Sequence, residues 1–314
     1  MYNKMMSKIQ LVCIICFLWS IKISAQQELQ VSQYMFNQLL VNPAYTGTHE
    51  YGSASVLYRT QWTAFDEAPV SQVASLETPL KNNWGAGLLI TNDSHGIIDE
   101  LSFMANISKK FQLNSNGTMF SLALRAGAST YSANFNNVNY WNPADPIYTS
   151  NSFDNELVPK FGFGAYIYNT NWYAGLSVPT IIAAGDDKLL VTTPNGDYFQ
   201  QHSYITGGYV FNLSSILDFR PSILFKYENA APLEADINAN FLINKKLWLG
   251  LGLRTGDALI GMVEYNFTNK LRAGYAYDFT TSSIGNYSNG SHEVMISFDF
   301  GEDVLIKKTS PRYF

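Results

Sequence analysis

The sequence predicts an all-β chain, a transmembrane antiparallel β-barrel of about 14 strands with short periplasmic turns and long extracellular loops. Three observations predict it. Period-two alternation recurs in segments of about nine to eleven residues, the length a tilted strand needs to cross a bilayer. Charged residues make up only 14% of the chain, against about 25% in globular proteins, yet after residue 25 no apolar run approaches the ~18 residues of a membrane helix. The connections also sort by length, tight ones at one end and longer ones at the other. A pair of soluble β-sandwiches has similar composition but no reason to sort its loops this way.

Residues 1–25 read as a signal peptide. Lys4 and Lys8 precede the apolar stretch "IQLVCIICFLWSI", and "ISA" offers small residues before Gln26. Both cysteines, Cys13 and Cys16, lie here, so the exported chain has none, which excludes disulfides and thiolate chemistry. Removing Lys4, Lys8 and Lys22 takes the net charge from −5 to −8, a poor balance for nucleic acid. Residues 26–48 form a periplasmic or lumenal segment, 49–300 the barrel and 301–314 a tail.

Strands are expected near 51–62, 71–80, 84–91, 100–111, 118–131, 159–168, 172–179, 201–211, 217–226, 233–243, 247–254, 259–267, 271–280 and 291–300. The pattern is clearest late in the chain. In "HEVMISFDF", Val294, Ile296, Phe298 and Phe300 alternate with Glu293, Met295, Ser297 and Asp299. Tight polar connections ("KNN" at 81–83, "LNSNG" at 113–117, "NTN" at 169–171, "NLSS" at 212–215, "NKK" at 244–246, "TNK" at 268–270) alternate with longer ones, notably 132–158 and 180–200.

Arg220, Lys226, Glu234, Asp236, Arg254, Glu264, Arg272 and Asp278 fall on the polar faces of their strands. A cation facing lipid at mid-bilayer costs roughly 2–4 kcal/mol, so these charges belong in the lumen. Lys226, Glu234, Asp236 and Arg254 lie near one end of three successive strands and are expected to form a lumenal ion-pair network that neutralises charge rather than filters solute.

The stretch "SQYMFNQLLVNPAYTGT" (32–48), then "LYRTQW" (57–62), resembles the start of the PorP/SprF family of type IX secretion-associated outer-membrane proteins. The likeness continues through "FGFGAYIYNTNWYAGLSVP" (161–179), "ANFLINKKLWLGLGLRTGDALIGMVEY" (239–265), "LRAGYAYDFTTS" (271–282) and "GSHEVMISFDF" (290–300). Thr46 stands where family members often have Ala, and "GEDVLIKKTSPRYF" follows the last strand. The resemblance implies a non-enzymatic protein supporting export or surface anchoring of a large secreted adhesin that carries a type IX C-terminal signal, and gliding in motile species. It also implies contact with periplasmic type IX components and outer-membrane lipid. Of a shared machine part and an anchor dedicated to one client, the dedicated role is preferred. Barrel assembly is expected to read Phe300, rather than Phe314, as the terminal aromatic residue.

The residues themselves call for no cofactor, metal or catalysis. His49, His95, His202 and His292 are dispersed, and no G-x-S-x-G surrounds a serine. "GDDK" (185–188) and "NPADP" (142–146) lack the regular ligand spacing of a calcium loop. A passive porin or hydrophobic-ligand transporter remains the competing reading. Fourteen strands leave space for water or a plug. Residues 26–48 are expected to fold against the lumen or its periplasmic mouth. Gln33, Tyr34, Met35, Phe36, Asn37, Asn42, Pro43 and Tyr45 are the candidate plug or partner-binding residues, with Asn42-Pro43 making the turn. The long loops, rich in Tyr, Asn and Asp, are the other candidate contact surface.

Overall fold

A computed structural model describes residues 29–65, 67–133, 156–182, 202–228 and 232–301. The segment 1–25, most of the connections at 132–158 and 180–200 (with 142–146 and 185–188), and the tail after Gly301 lie outside them.

Fourteen antiparallel strands close into a barrel. They are β1 (Gly52–Thr60), β2 (Val70–Pro79), β3 (Trp84–His95), β4 (Ile98–Gln112), β5 (Met119–Ala133), β6 (Glu156–Tyr168) and β7 (Trp172–Ile182). β8 (His202–Tyr209) continues as Phe211–Asn212 after a break at Val210. There follow β9 (Leu217–Glu228), β10 (Glu234–Ile243), β11 (Leu247–Arg254), β12 (Ala258–Asn266), β13 (Leu271–Thr280) and β14 (Ser291–Phe300). Each strand pairs with its sequence neighbours, and β14 closes on β1 from Gly52↔Phe300 to Thr60↔His292. Closure removes every sheet edge, as a lipid environment requires.

The turn chemistry explains the tight end. Asn82, Asn83, Asn244 and Lys245 all take positive φ, the left-handed conformation that short hairpins demand and Asn tolerates. Irregularities have causes too. Pro221, with no N–H to donate, sits in β9 opposite the region where β8 is interrupted at Val210. Between Phe161 and Phe163 the register of β6 against β7 shifts as a bulge, and a Cβ on Gly162 would stand 2.2 Å from the Pro179 carbonyl oxygen.

Several strands outrun their expected bounds. β3 and β4 pair as far as His95↔Ile98, joined by a two-residue turn with Gly96 at φ +59°. Thr91–His95 carry no apolar side chain, so the alternation fades although backbone pairing continues. This connection is therefore short, at the end where long loops predominate.

Outward side chains are the large apolar ones: Leu124, Leu157, Leu251 and Phe279 are among the most exposed. The buried hydrophobic cluster lies inside the barrel instead. It joins Val31, Tyr34, Met35, Phe36, Leu39 and Tyr45 to inward wall residues such as Leu57, Leu224, Trp248 and Met295. Leu251 is 72% exposed at mid-strand in β11, so Leu251→Arg should destabilise the folded barrel by about 2–4 kcal/mol, read as a lower urea midpoint for unfolding from lipid vesicles.

Candidate functional site

Residues 30–49 are buried almost without exception, yet they contain only two short 3-10 turns, Tyr34–Phe36 and Pro43–Tyr45. A backbone this irregular satisfies few of its own polar groups, and inside a membrane protein those groups need partners from the protein itself. The wall supplies them. Arg125 of β5 donates to the carbonyls of Leu39 and Leu40 while its Nε donates to Asn106 at 2.7 Å. Ser177 of β7 donates to the Val41 carbonyl at 2.5 Å, Ser108 of β4 to that of Thr46 at 2.6 Å, and Lys110 to that of Gly47. Other wall residues that bond the segment lie on β1, β2, β10, β13 and β14, on the far side of the barrel, so the segment occupies the lumen.

The candidate plug residues each have an identified position. The Gln33 N–H donates to Glu293 Oε1 at 2.8 Å. The Tyr34 hydroxyl accepts from Asn238 Nδ2 at 3.1 Å and lies 3.5 Å from the Ser222 hydroxyl. Met35 is fully enclosed, and Phe36 meets Trp248 edge to face at 5.3 Å between centroids. Trp248 in turn lies under the Arg220 guanidinium at 4.7 Å. Asn37 Nδ2 donates to Ser55 and Ser75 at 2.8 and 3.0 Å.

Asn42 is extended (φ −142°, ψ 110°), the conformation the following proline favours, and its Oδ1 accepts from the Ala44 N–H at 2.9 Å. Its amide nitrogen donates to the Ala165 carbonyl at 3.1 Å. Tyr45 packs edge to face on Tyr166 at 5.8 Å and contacts His49 Nε2 at 3.0 Å through its hydroxyl. His49 Nδ1 is 2.8 Å from Glu77 Oε1, while Glu77 Oε2 accepts from the Gly47 N–H at 2.9 Å. Glycines on the inner wall allow this approach. A Cβ on Gly164 would meet Asn42 Oδ1 at 2.2 Å, one on Gly175 the Asn42 amide nitrogen at 2.7 Å, and one on Gly274 Gln33 Oε1 at 2.3 Å.

Lys226, Glu234, Asp236 and Arg254 are brought together. Lys226 Nζ lies 2.6 Å from Glu234 Oε1 and 3.9 Å from Asp236 Oδ2. Arg254 Nε lies 3.0 Å from Asp236 Oδ1 and 3.6 Å from Glu234 Oε1. The network is larger than its sequence neighbours indicate. Arg254 Nη1 reaches Asp278 at 3.1 Å, Asp278 holds Arg59 at 2.7 Å, and Arg59 holds Glu293 at 3.2 Å. Arg59 and Glu293 are direct cross-strand partners on the β1–β14 closure, a pairing between the two ends of the barrel that no local pattern encodes. The inner-wall glycines and Arg125 were also not singled out by sequence reasoning. A glycine on the polar face of an alternating strand is a usable signal of close backbone approach.

Comparison with known proteins places the chain in a family. The family described as "Type IX secretion system membrane protein PorP/SprF" matches residues 23–298. No curated protein matches the chain. Among solved structures, the Acinetobacter baumannii outer membrane protein Omp33 is 8% identical with a TM-score of 0.47, covering 81% of this chain and 100% of its own. The KdgM porin is 9% identical with a TM-score of 0.36, covering 79% and 99%. Outer membrane phospholipase A from Escherichia coli is 12% identical with a TM-score of 0.38, covering 87% and 99%. The chain belongs to the PorP/SprF family.

Two outcomes check the site. Arg254→Ala leaves Asp236 and Asp278 buried with fewer partners and should cost about 3–5 kcal/mol, seen as earlier loss of the compact band on heating before electrophoresis. Gly164→Leu should cost about 1–3 kcal/mol or more by overpacking against Asn42 and expose residues 29–48 to protease. Gly261→Leu, whose Cβ meets nothing within 4 Å, should leave protection unchanged.

Proposed function

We propose, proceeding from membership of the PorP/SprF family, that this barrel is a non-enzymatic outer-membrane partner of type IX secretion, dedicated to export or surface anchoring of one large adhesin. The family match over residues 23–298 carries the reading. In this role the client presents a type IX C-terminal signal, periplasmic components of the system form the second class of partner, and gliding follows only in a motile host. The signal peptide is removed on export, and the barrel resides in outer-membrane lipid.

The filled lumen favours this reading over a passive porin. Residues 30–49 sit where a porin keeps water, and apolar side chains of the wall pack against them. A protein whose interior is occupied contacts other macromolecules through its ends, where loops on a rigid scaffold are suited to binding. The lumenal charges Lys226, Glu234, Asp236 and Arg254 then serve to hold the segment, not to select ions.

Affinity purification of the tagged protein from gently solubilised outer membranes, followed by mass spectrometry, tests the role. One very large secreted protein in near-stoichiometric amount is the expected result. Periplasmic type IX components in its place would make the barrel a shared machine part, and a partnerless barrel would sink the proposal. In planar bilayers the intact protein should show little conductance. Deletion of residues 28–46 with the signal retained should open an ion-conducting pore and abolish support of the client.

A further inference from the structure

The two ends of the lumenal segment lie at opposite ends of the barrel. Gly47 and Thr46 contact Gly85 at the start of β3 and Ser108 and Lys110 near the end of β4, all at the tight-turn, periplasmic end. From there the chain runs through Tyr51 directly into β1. Residues 30–33 are fixed at the other end. Gln30 Nε2 donates to Glu234 at 2.9 Å, at the first residue of β10. Arg254, the last residue of β11, donates through Nη2 to the Val31 carbonyl at 3.4 Å. The Ser32 hydroxyl donates to Asp278 at 2.7 Å, and the Ser32 and Gln33 N–H groups donate to the two oxygens of Glu293, each at 2.8 Å. Arg59, next to last in β1, donates to the Ser32 hydroxyl at 3.0 Å.

Charged side chains from β1, β10, β11, β13 and β14 thus form a collar around four consecutive residues at the long-loop mouth. The collar is incomplete without the chain. Arg59 and Arg254 face five carboxylates, Glu234, Asp236, Asp257, Asp278 and Glu293, and the two backbone N–H groups on Glu293 are donors the wall does not itself provide. A buried carboxylate is stable only with such donors, so the wall is built to receive residues 30–33 at this height.

We infer that the chain passes through its own barrel from the outside inward: whatever precedes Leu29 leaves by the extracellular mouth, and the mature amino terminus is displayed at the cell surface. With cleavage after residue 25, three residues separate the new terminus from Leu29. At no more than about 3.6 Å each they cannot return through a wall that takes about nine to eleven residues to span. Signal removal therefore precedes docking, because the apolar leader would otherwise have to cross the lumen. The terminus emerges among the outer loops and is available to an extracellular partner, such as a secreted client. The inference rests on the collar geometry and on the barrel's orientation, not on the identity of any client.

The absence of cysteine after residue 25 makes the test direct. Glu28→Cys is compared with Asn286→Cys in an outer loop and Ser115→Cys in a periplasmic turn, using a membrane-impermeant maleimide on intact cells. Full reactivity at Glu28→Cys and Asn286→Cys, with Ser115→Cys reactive only after outer-membrane permeabilisation, is the expected pattern. Glu28→Cys behaving like Ser115→Cys, or staying unreactive even in permeabilised cells, overturns the inference, as does inversion of the two controls. An epitope inserted between Gln27 and Glu28, detected by antibody on intact cells, gives a second readout if the cysteine variant assembles poorly. Loss of the client in the purification experiment would leave this labelling pattern unchanged.

Discussion

An irregular backbone inside a barrel must find hydrogen-bond partners on the wall, and much of this structure follows from that constraint. Closing fourteen strands satisfies the sheet but leaves an interior too wide for wall side chains alone to fill. Residues 30–49 fill it, and they bring carbonyls and amides that no helix or strand pairs. Arg125, Ser108, Ser177 and Lys110 answer the carbonyls, while Glu293 and Glu77 answer the amides. The inner face is accordingly a mixture of hydrogen-bonding side chains and small residues, with apolar wall residues clustered with Val31, Tyr34, Met35, Phe36, Leu39, Val41 and Tyr45 of the segment.

The same dependence runs in reverse through the charges. Arg59, Arg254, Asp278 and Glu293 are all nearly inaccessible to solvent, and charges so placed are tolerable only when paired and hydrogen-bonded. Segment and wall each complete the other's unsatisfied groups, so the plug is hydrogen-bonded to the wall along its length. The periplasmic end is held differently, by the His49–Glu77 contact and by stacking of His49 on Tyr51 at 5.0 Å. One end is therefore held chiefly by charge and the other by aromatic packing and by hydrogen bonds to Glu77, Ser108 and Lys110.

In the proposed secretion role this architecture separates holding from recognition. The barrel is rigid and internally occupied, so exchange of partners falls to its two rims. At the outer rim the loop 61–69 is tied to 281–290 through the Thr63 N–H to the Gly290 carbonyl at 2.9 Å and the Asn289 N–H to the Thr63 carbonyl at 2.7 Å. This bridges the β14–β1 closure, beside the point where the lumenal chain emerges, and presents Phe65 and Tyr287 to solvent. A fixed outer surface next to a displayed chain end suits capture of a client already exported to the cell surface.

Alternation, strand number and tight turns are legible in the sequence because they are local. Side-chain period and positive-φ asparagines act within a few residues, and lipid enforces the sorting of Leu251 outward and Arg254 inward. The cluster of Lys226, Glu234, Asp236 and Arg254 is legible for the same reason, since hairpin neighbours set its register. Its continuation to Asp278, Arg59 and Glu293 depends on the closing pair of strands, which joins residues more than 200 positions apart. The plug residues were visible as aromatics with nowhere to go, but not the height at which each docks or the direction in which the chain runs. Local pattern along the chain specifies a barrel and a segment needing burial. That Gln33 meets Glu293 and Asn42 meets Gly164 follows only from folding, because those matches arise from closure of the wall around the chain and from no periodicity along it.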